Sequence, residues 1–189
     1  EIEMHGIVTT TGSQTYGPIV ELRGDVDLIA GGDVSINGKL TAFGLGTRSL
    51  DIDTTSGTVS IADFGVSLDE SQYDVGVVRA DNVDLGGGAN DDVGGLNNLS
   101  ISGITDSVNF TSTSGLELHG NLSVVSPNVT IGSGATLETE GDLTINSTNI
   151  SLGANVTTDS GTLTLNGTAS VTDSIVLDSG SGDLTVTGA

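Results

Sequence analysis

The chain has 189 residues, with 25 acidic against 4 basic side chains, a formal net charge of −21 at pH 7 and no cysteine. Four scattered cations cannot build a phosphate-binding surface, which excludes nucleic-acid binding, and without cysteine there is no disulfide framework, thiolate metal site or cysteine nucleophile. The sequence contains no run of about 18 apolar residues that could span a membrane as a helix.

Alternating pairs of aliphatic residues recur along the chain, and no segment has the apolar periodicity of a helix. Each pair, from Val26/Leu28 to Leu184/Val186, predicts a short strand with two side chains inward and a small polar one outward. The Gly, Asn, Asp and Ser residues between the pairs predict turns. The sequence therefore predicts an all-β protein.

The regularity of this pattern divides the chain into three parts, which we predict to form one domain over residues 1–189. We predict N-terminal coils of lower regularity over residues 1–68 and regular coils over residues 99–189. Residues 69–98 are the least periodic stretch, so we expect an irregular coil or a projecting loop there. Insertions of this kind often carry the binding site of a repeat protein, which makes 69–98 a candidate for glycan or receptor contact.

A repeated phrase defines the coils of the C-terminal part: glycine, a polar residue, Leu, Ser or Thr, then an aliphatic residue. It begins at Gly120, Gly141, Gly161 and Gly182, which lie 20 or 21 residues apart. Alignment on the phrase predicts second strands at 129–131, 150–152 and 169–171, and third strands at 135–137, 154–156 and 175–177. Three short strands per repeat of about 20 residues are typical of a parallel β-helix, because only stacked coils bury the aliphatic side chains.

Stacking places equivalent residues of successive coils in ladders. Two ladders are predicted inside the coils: Leu122, Leu143, Leu163, Leu184 and Val124, Ile145, Leu165, Val186. A hydroxyl row is predicted outside: Ser123, Thr144, Thr164, Thr185. The row beside it alternates charged with neutral residues and breaks the double Thr row that an ice-binding face requires: Asn121, Asp142, Thr162, Asp183. The chain would hold about nine coils, in a rod roughly 40–45 Å long.

Acidic pairs are the candidates for catalysis by a carbohydrate-active β-helix enzyme: Asp25/Asp27, Asp51/Asp53 and Asp91/Asp92. Such an enzyme also needs cations to stabilise charge, and the basic residues are widely spaced: Arg23, Lys39, Arg48 and Arg79. The two histidines, His5 and His119, are isolated in sequence. We therefore interpret these groups as solvated surface residues and predict no enzyme and no catalytic residue.

The segment Gly87-Gly-Ala-Asn-Asp-Asp-Val93 nearly matches the calcium-binding nonapeptide Gly-Gly-x-Gly-x-Asp-x-aliphatic-x. It lacks the second glycine step and occurs once, whereas such sites form between successive repeats. Asn90, Asp91 and Asp92 are the positions at which an ordered ion would be expected. We predict no specific metal ligand and no cofactor beyond Ca²⁺ held loosely by the surplus carboxylates.

Asn-x-Ser/Thr sequons are dense in the second half: Asn98, Asn109, Asn121, Asn128, Asn146, Asn149, Asn155 and Asn166. Their number follows from a composition rich in Asn, Ser and Thr. The sequence leaves two roles open, as glycan carriers in a cell that glycosylates its surface proteins or as turn residues and Asn ladders.

Four phrases resemble the shaft of filamentous-haemagglutinin-like large exoproteins: Val8-Thr-Thr-Thr-Gly-Ser-Gln-Thr-Tyr16, Gly32-Asp-Val-Ser-Ile-Asn-Gly38, Gly141-Asp-Leu-Thr-Ile145 and Gly161-Thr-Leu-Thr-Leu-Asn-Gly167. The resemblance implies a right-handed parallel β-helix and secretion, often through a dedicated outer-membrane pore, with roles in adhesion, biofilm or contact-dependent interactions. No signal peptide or secretion domain is recognisable, so we expect a piece of a longer chain or a subunit that stacks into a filament.

These observations predict a non-enzymatic structural protein, either the rigid extracellular shaft of an adhesin-like exoprotein or a self-assembling surface filament. The expected partners are other copies end to end or flanking coils of a longer chain, together with cell-surface glycans or receptors, and no membrane insertion. The alternatives are a carbohydrate-active β-helix enzyme and a glycan-binding module.

Overall fold

A computed structural model describes residues 1–44, 46–65, 71–87, 95–111 and 115–188. Over these ranges the chain forms seventeen strands, all paired in parallel, and no helix. The strands are β1 (Ile2–Thr10), β2 (Gln14–Tyr16), β3 (Ile19–Ala30), β4 (Val34–Ala42), β5 (Arg48–Thr54), β6 (Thr58–Phe64), β7 (Gln72–Gly87), β8 (Gly95–Ile101), β9 (Ile104–Phe110), β10 (Leu116–Leu118), β11 (Leu122–Ile131), β12 (Leu137–Thr139), β13 (Leu143–Leu152), β14 (Val156–Thr158), β15 (Leu163–Val171), β16 (Leu177–Asp178) and β17 (Leu184–Thr187).

The strands wind into a right-handed β-solenoid of about eight turns, which confirms the predicted fold. Three faces run along its axis; faces A and B are each defined by one ladder of paired residues, and face C is defined by two. Face A holds Gly6, Val26, Leu50, Val75, Leu99, Leu122, Leu143, Leu163 and Leu184. Face B holds Gln14, Val34, Val59, Val83, Val108, Val129, Ile150 and Ala169. Face C holds Ile2, Val20, Leu40 and Phe64 in the first turns and Leu116, Leu137, Val156 and Leu177 in the last.

The predicted ladders of the C-terminal turns are confirmed. Leu122, Leu143 and Leu163 pair in register and are buried, as are their neighbours two residues on. Leu184 and Val186 continue both ladders but are 47% and 50% exposed, because the structure places no further rung over them. The aliphatic residues thus form one column inside the solenoid, which is the source of its stability.

The third strand of each coil has the predicted register and different bounds. Leu137, Val156 and Leu177 stack as expected, but β12, β14 and β16 begin at these residues and extend toward the next glycine. Ala135 lies instead in a turn, in which its N–H donates to the carbonyl oxygen of Gly132 at 3.2 Å. The alternation of apolar and polar residues could not distinguish this turn from a strand, because Ala135 points inward and is buried in the turn, as it would be in a strand.

The interval 69–98, predicted as an irregular coil or a projecting loop, lies partly within the solenoid ladder. Residues 72–87 form the longest strand, β7, which pairs with β5, β6, β8 and β9, and β8 begins at Gly95. Rungs of face A lie farther apart in sequence between Val26 and Leu122 than in the later turns, so this coil does not align with the regular repeat. Residues 69–70 and 88–94 lie outside the described ranges.

Tight turns between faces C and A explain the glycine of the repeated phrase. The buried hydroxyls of Thr139 and Thr158 donate to the carbonyl oxygens of Gly141 and Gly161, each at 2.8 Å, and close the turn from inside. A Cβ on Gly161 would lie 2.1 Å from the carbonyl oxygen of Gly141 in the turn below. Glycine is required there because the backbones of successive turns approach too closely for a side chain.

Candidate functional site

A row of polar residues, most of them Asp or Asn, lies at the corner that precedes face A and is the first candidate for a functional surface. We call this row the axial Asx column: Asp25, Ser49, Asp74, Asn98, Asn121, Asp142, Thr162 and Asp183. A side-chain Oδ1 accepts the backbone N–H of the equivalent residue one turn on at 3.1 Å for Asp25, 3.0 Å for Asp74, 2.8 Å for Asn98, 2.8 Å for Asn121 and 2.7 Å for Asp142. These side chains therefore fix the register between turns.

Asp142 and Asp51 show that position in the solenoid can shift the pKa of a carboxyl group in either direction. The backbone N–H of Thr162 and then its hydroxyl donate to Asp142, which lowers the pKa of that carboxyl. Burial, followed by the charges of Asp27 and other neighbouring aspartates, raises the pKa of Asp51. Hydrogen bonds stabilise the first carboxylate, whereas desolvation and repulsion destabilise the second.

Replacing Asp51 with Asn is expected to raise the melting temperature at pH 7. The raised pKa means that the protonated form favours folding, an advantage that is complete below the ordinary aspartate pKa and is lost as pH rises through the folded-state value. The gain from Asp51→Asn is therefore expected at neutral pH and should vanish in acid. Thermal melts of both proteins from pH 3 to 8 measure it.

Asp142→Asn is the matched control, because it removes the same single charge from a chain of net charge −21. The lowered pKa means that ionised Asp142 stabilises the fold above the ordinary aspartate pKa and loses this effect as pH falls through the folded-state value. We expect a small decrease in melting temperature at pH 7 that disappears in acid. Equal increases in the melting temperature of both variants would show that net charge alone governs the change in stability.

Only some of the candidate catalytic residues considered from the sequence come together. Asp27 and Asp51 stack on the outside of face A, and the Asp51 carboxylate lies over Gly76, where a Cβ would be 2.3 Å from its Oδ1. On the adjacent row, Arg79 Nε donates to Asp53 Oδ1 at 2.7 Å. Asp51, Asp53 and Arg79 therefore share one acidic strip on face A. A shallow open groove begins one turn on from Arg79, between Ile104, Val125 and Pro127.

The other predicted cations lie elsewhere. Arg23 donates to Glu3 at 2.9 Å, contacts Glu21, and stacks on the ring of Phe43 with 4.0 Å from Cζ to the centroid. Lys39 and Arg48 pair in register with Asp63 and Tyr73. The structure therefore brings Arg79 to the acidic strip and keeps Arg23 in a separate cluster that links the first turns.

The structure describes the two histidines but not the calcium candidates. Asn90, Asp91 and Asp92, the calcium candidates, lie outside the described residues. His119 Nδ1 lies 3.0 Å from Glu140 Oε1 one turn on, whereas the Cβ of His5 packs beside Gly24.

Sequence reasoning missed one acidic cluster, formed by Glu1, Glu3 and Glu21, whose carboxylate oxygens lie within 4.8 Å of one another. The signal was present in the register, because Glu3 and Glu21 occupy equivalent positions of successive turns. Arg23 lies against two of these carboxylates and supplies their counter-charge.

No family model, curated protein or solved structure matches this chain. The likeness to filamentous-haemagglutinin-like exoproteins therefore rests on the quoted phrases. Across the described ranges, no helix has the length and apolar character needed to cross a membrane.

Proposed function

We propose that this chain is a non-enzymatic structural protein, a rigid shaft segment of an adhesin-like extracellular exoprotein or surface filament. The observation that supports this most directly is the aliphatic column, whose face A ladder continues in parallel register from β1 to β17. A column of this kind resists bending, because every turn is hydrogen-bonded to the turns on either side.

The surface suits an extracellular location. Carboxylates and hydroxyls dominate it, and all 4 basic residues lie at or before Arg79. Such a surface keeps a long rod soluble, and dissolved salt screens its self-repulsion. The same carboxylates supply oxygen ligands for loosely held Ca²⁺.

Force spectroscopy tests the shaft directly. With handle domains fused at both ends, we expect stepwise unfolding in which each turn of about 20 residues releases about 70 Å of chain. Electron microscopy should show rods of about 40 Å from about eight turns. Collapse at forces that leave the handles folded, or a globular outline, would refute a mechanical role.

We further propose that the shaft is extended by coils stacked on its last turn, from a flanking segment or from another copy. Leu184 and Val186 face the interior column there, while Thr185 faces outward. If copies of this chain stack, Val186→Asp should abolish fibres seen by electron microscopy, because it places a charge in the apolar contact.

Thr185→Asp is the matched control, since it adds the same charge to the same strand on the outer side. Fibres that survive Val186→Asp and disappear in Thr185→Asp would contradict end-to-end stacking. Discrete rods for the unmodified chain would favour extension by flanking coils instead.

A carbohydrate-active enzyme is the second candidate, favoured by the Asp53–Arg79 pair beside Asp51, whose pKa is raised. This strip places a carboxyl group of raised pKa beside an Asp–Arg ion pair, and polysaccharide cleavage uses carboxyl groups as general acid and base. Incubation with neutral and acidic polysaccharides, followed by reducing-end and unsaturated-uronate assays, decides between the two functions. Turnover that Asp53→Asn abolishes would replace the shaft proposal, which predicts none.

A further inference from the structure

The eight sequon asparagines have different hydrogen-bonding states. In five of them the carboxamide Nδ2 donates to a neighbouring acceptor: Asn98 to Asp74 at 2.9 Å, Asn109 to Asp84 at 2.8 Å, Asn128 to the Asp106 carbonyl at 3.0 Å, Asn149 to Asn128 at 2.9 Å and Asn166 to Asn146 at 2.7 Å. All five of these bonds cross from one turn to the next. The nitrogen that would carry a sugar is thus part of the solenoid in these five residues.

Asn121 and Asn155 are held differently. Each uses Oδ1, which accepts the N–H of Asp142 or Val176 one turn on at 2.8 Å, while its Nδ2 makes no hydrogen bond with any residue that the structure describes. Both side chains are exposed. Asn146 also has an unbonded Nδ2 within the described ranges, but it is half-buried and accepts the Nδ2 of Asn166.

We propose that Asn121 and Asn155 are the acceptor sites of the folded chain for N-linked glycosylation from a nucleotide-activated sugar. In this transfer the Nδ2 forms a bond to the anomeric carbon, the sugar–phosphate bond breaks, the nucleoside diphosphate leaves with the electron pair, and the amide releases one proton. A free and exposed Nδ2 meets the geometric need of the transferase, because the carboxamide leaves the surface by breaking one Oδ1 bond.

The outward positions fit this role. Asn121 belongs to the axial Asx column beside face A, and Asn155 lies just before β14 on face C. A sugar on either residue projects away from the aliphatic column and leaves every strand pairing in place. Each of the two loses its Oδ1 bond to the next turn, whereas in the five bonded asparagines the reacting nitrogen itself would lose a contact between turns.

The test uses the intact folded chain, a soluble sequon-specific N-glucosyltransferase and UDP-glucose, with glycopeptide mapping by mass spectrometry. Conditions are first fixed on an unfolded digest of the same chain, in which all eight sequon peptides must accept glucose. In the folded chain we expect occupancy at Asn121 and Asn155 to be about tenfold above that at Asn149, whose Nδ2 bond must break first.

Asn149 is the matched comparison, because its side chain is also exposed. Asn155→Gln and Asn121→Gln should each remove one hexose from the intact mass, and Asn149→Gln should leave it unchanged. Comparable occupancy at Asn149, or no glucose at Asn121 and Asn155 when their peptides accept it, would overturn the proposal. Neither outcome bears on the shaft, which does not require glycosylation.

Discussion

Replacing Gly161 with Ala is expected to destabilise the solenoid by on the order of 3 kcal/mol. A Cβ at this position would lie 2.1 Å from the carbonyl oxygen and 2.2 Å from the carbonyl carbon of Gly141, both backbone atoms of the turn below. Backbone paired in a ladder cannot shift alone, so two turns must separate. Urea unfolding followed by circular dichroism measures the change in free energy of unfolding.

Gly12→Ala is the matched control, because no atom lies within 4 Å of the Cβ position at Gly12. We expect its free energy of unfolding to remain within about 0.5 kcal/mol of the unmodified protein. An equal loss of unfolding free energy in Gly12→Ala and Gly161→Ala would mean that glycine affects stability through chain flexibility. Close contact between the backbones of successive turns would then be unimportant.

Replacing Leu143 with Ala is expected to destabilise the fold by about 3 kcal/mol. Leu143 is fully buried in the middle of the face A ladder, between Leu122 and Leu163. Removal of its side chain leaves a cavity that its neighbours cannot fill, because their strands are fixed by hydrogen bonds on both sides. Because stability in a solenoid sums over contacts between turns, the loss affects two of them.

Leu184→Ala makes the same chemical change at the last rung, where the side chain is 47% exposed. We expect a loss below about 1 kcal/mol, because less apolar area is removed from water and one neighbouring turn is affected. Urea unfolding of the two variants checks this difference. Equal losses would contradict a column stabilised turn by turn.

The turns of equal length were the part of the fold that could be predicted residue by residue. From Leu122 onward the coils are nearly equal in length, so alignment of the sequence on itself places Leu122 over Leu143 and Thr144 over Thr164. The N-terminal coils are longer, since the rung after Leu50 is Val75, and alignment on the shorter repeat left the part of β7 before the Val83/Leu85 pair unassigned. The number of turns was accordingly predicted as about nine and is about eight.

The candidate site was less predictable, since its properties depend on neighbours one turn away. Asp51 and Asp142 are alike in sequence, each beside an aliphatic strand residue, yet their pKa values move in opposite directions. Arg79 could be assigned to Asp53 only when the register between β5 and β7 was known. Whether the side-chain nitrogen of Asn121 or Asn149 is hydrogen-bonded likewise depends on the residue one turn away, which a sequon does not encode.

The sequence by itself determined the all-β fold, the inward and outward faces of the strands that carry an aliphatic pair and the stacking of the regular turns, because alternation is local and equal repeats superpose. Only the tertiary structure decided the lengths of the earlier coils, the partners of each charge and the free or bonded state of each asparagine. The physical reason is that these depend on contacts between residues a whole turn apart in sequence, whose register is set by every intervening corner and bulge.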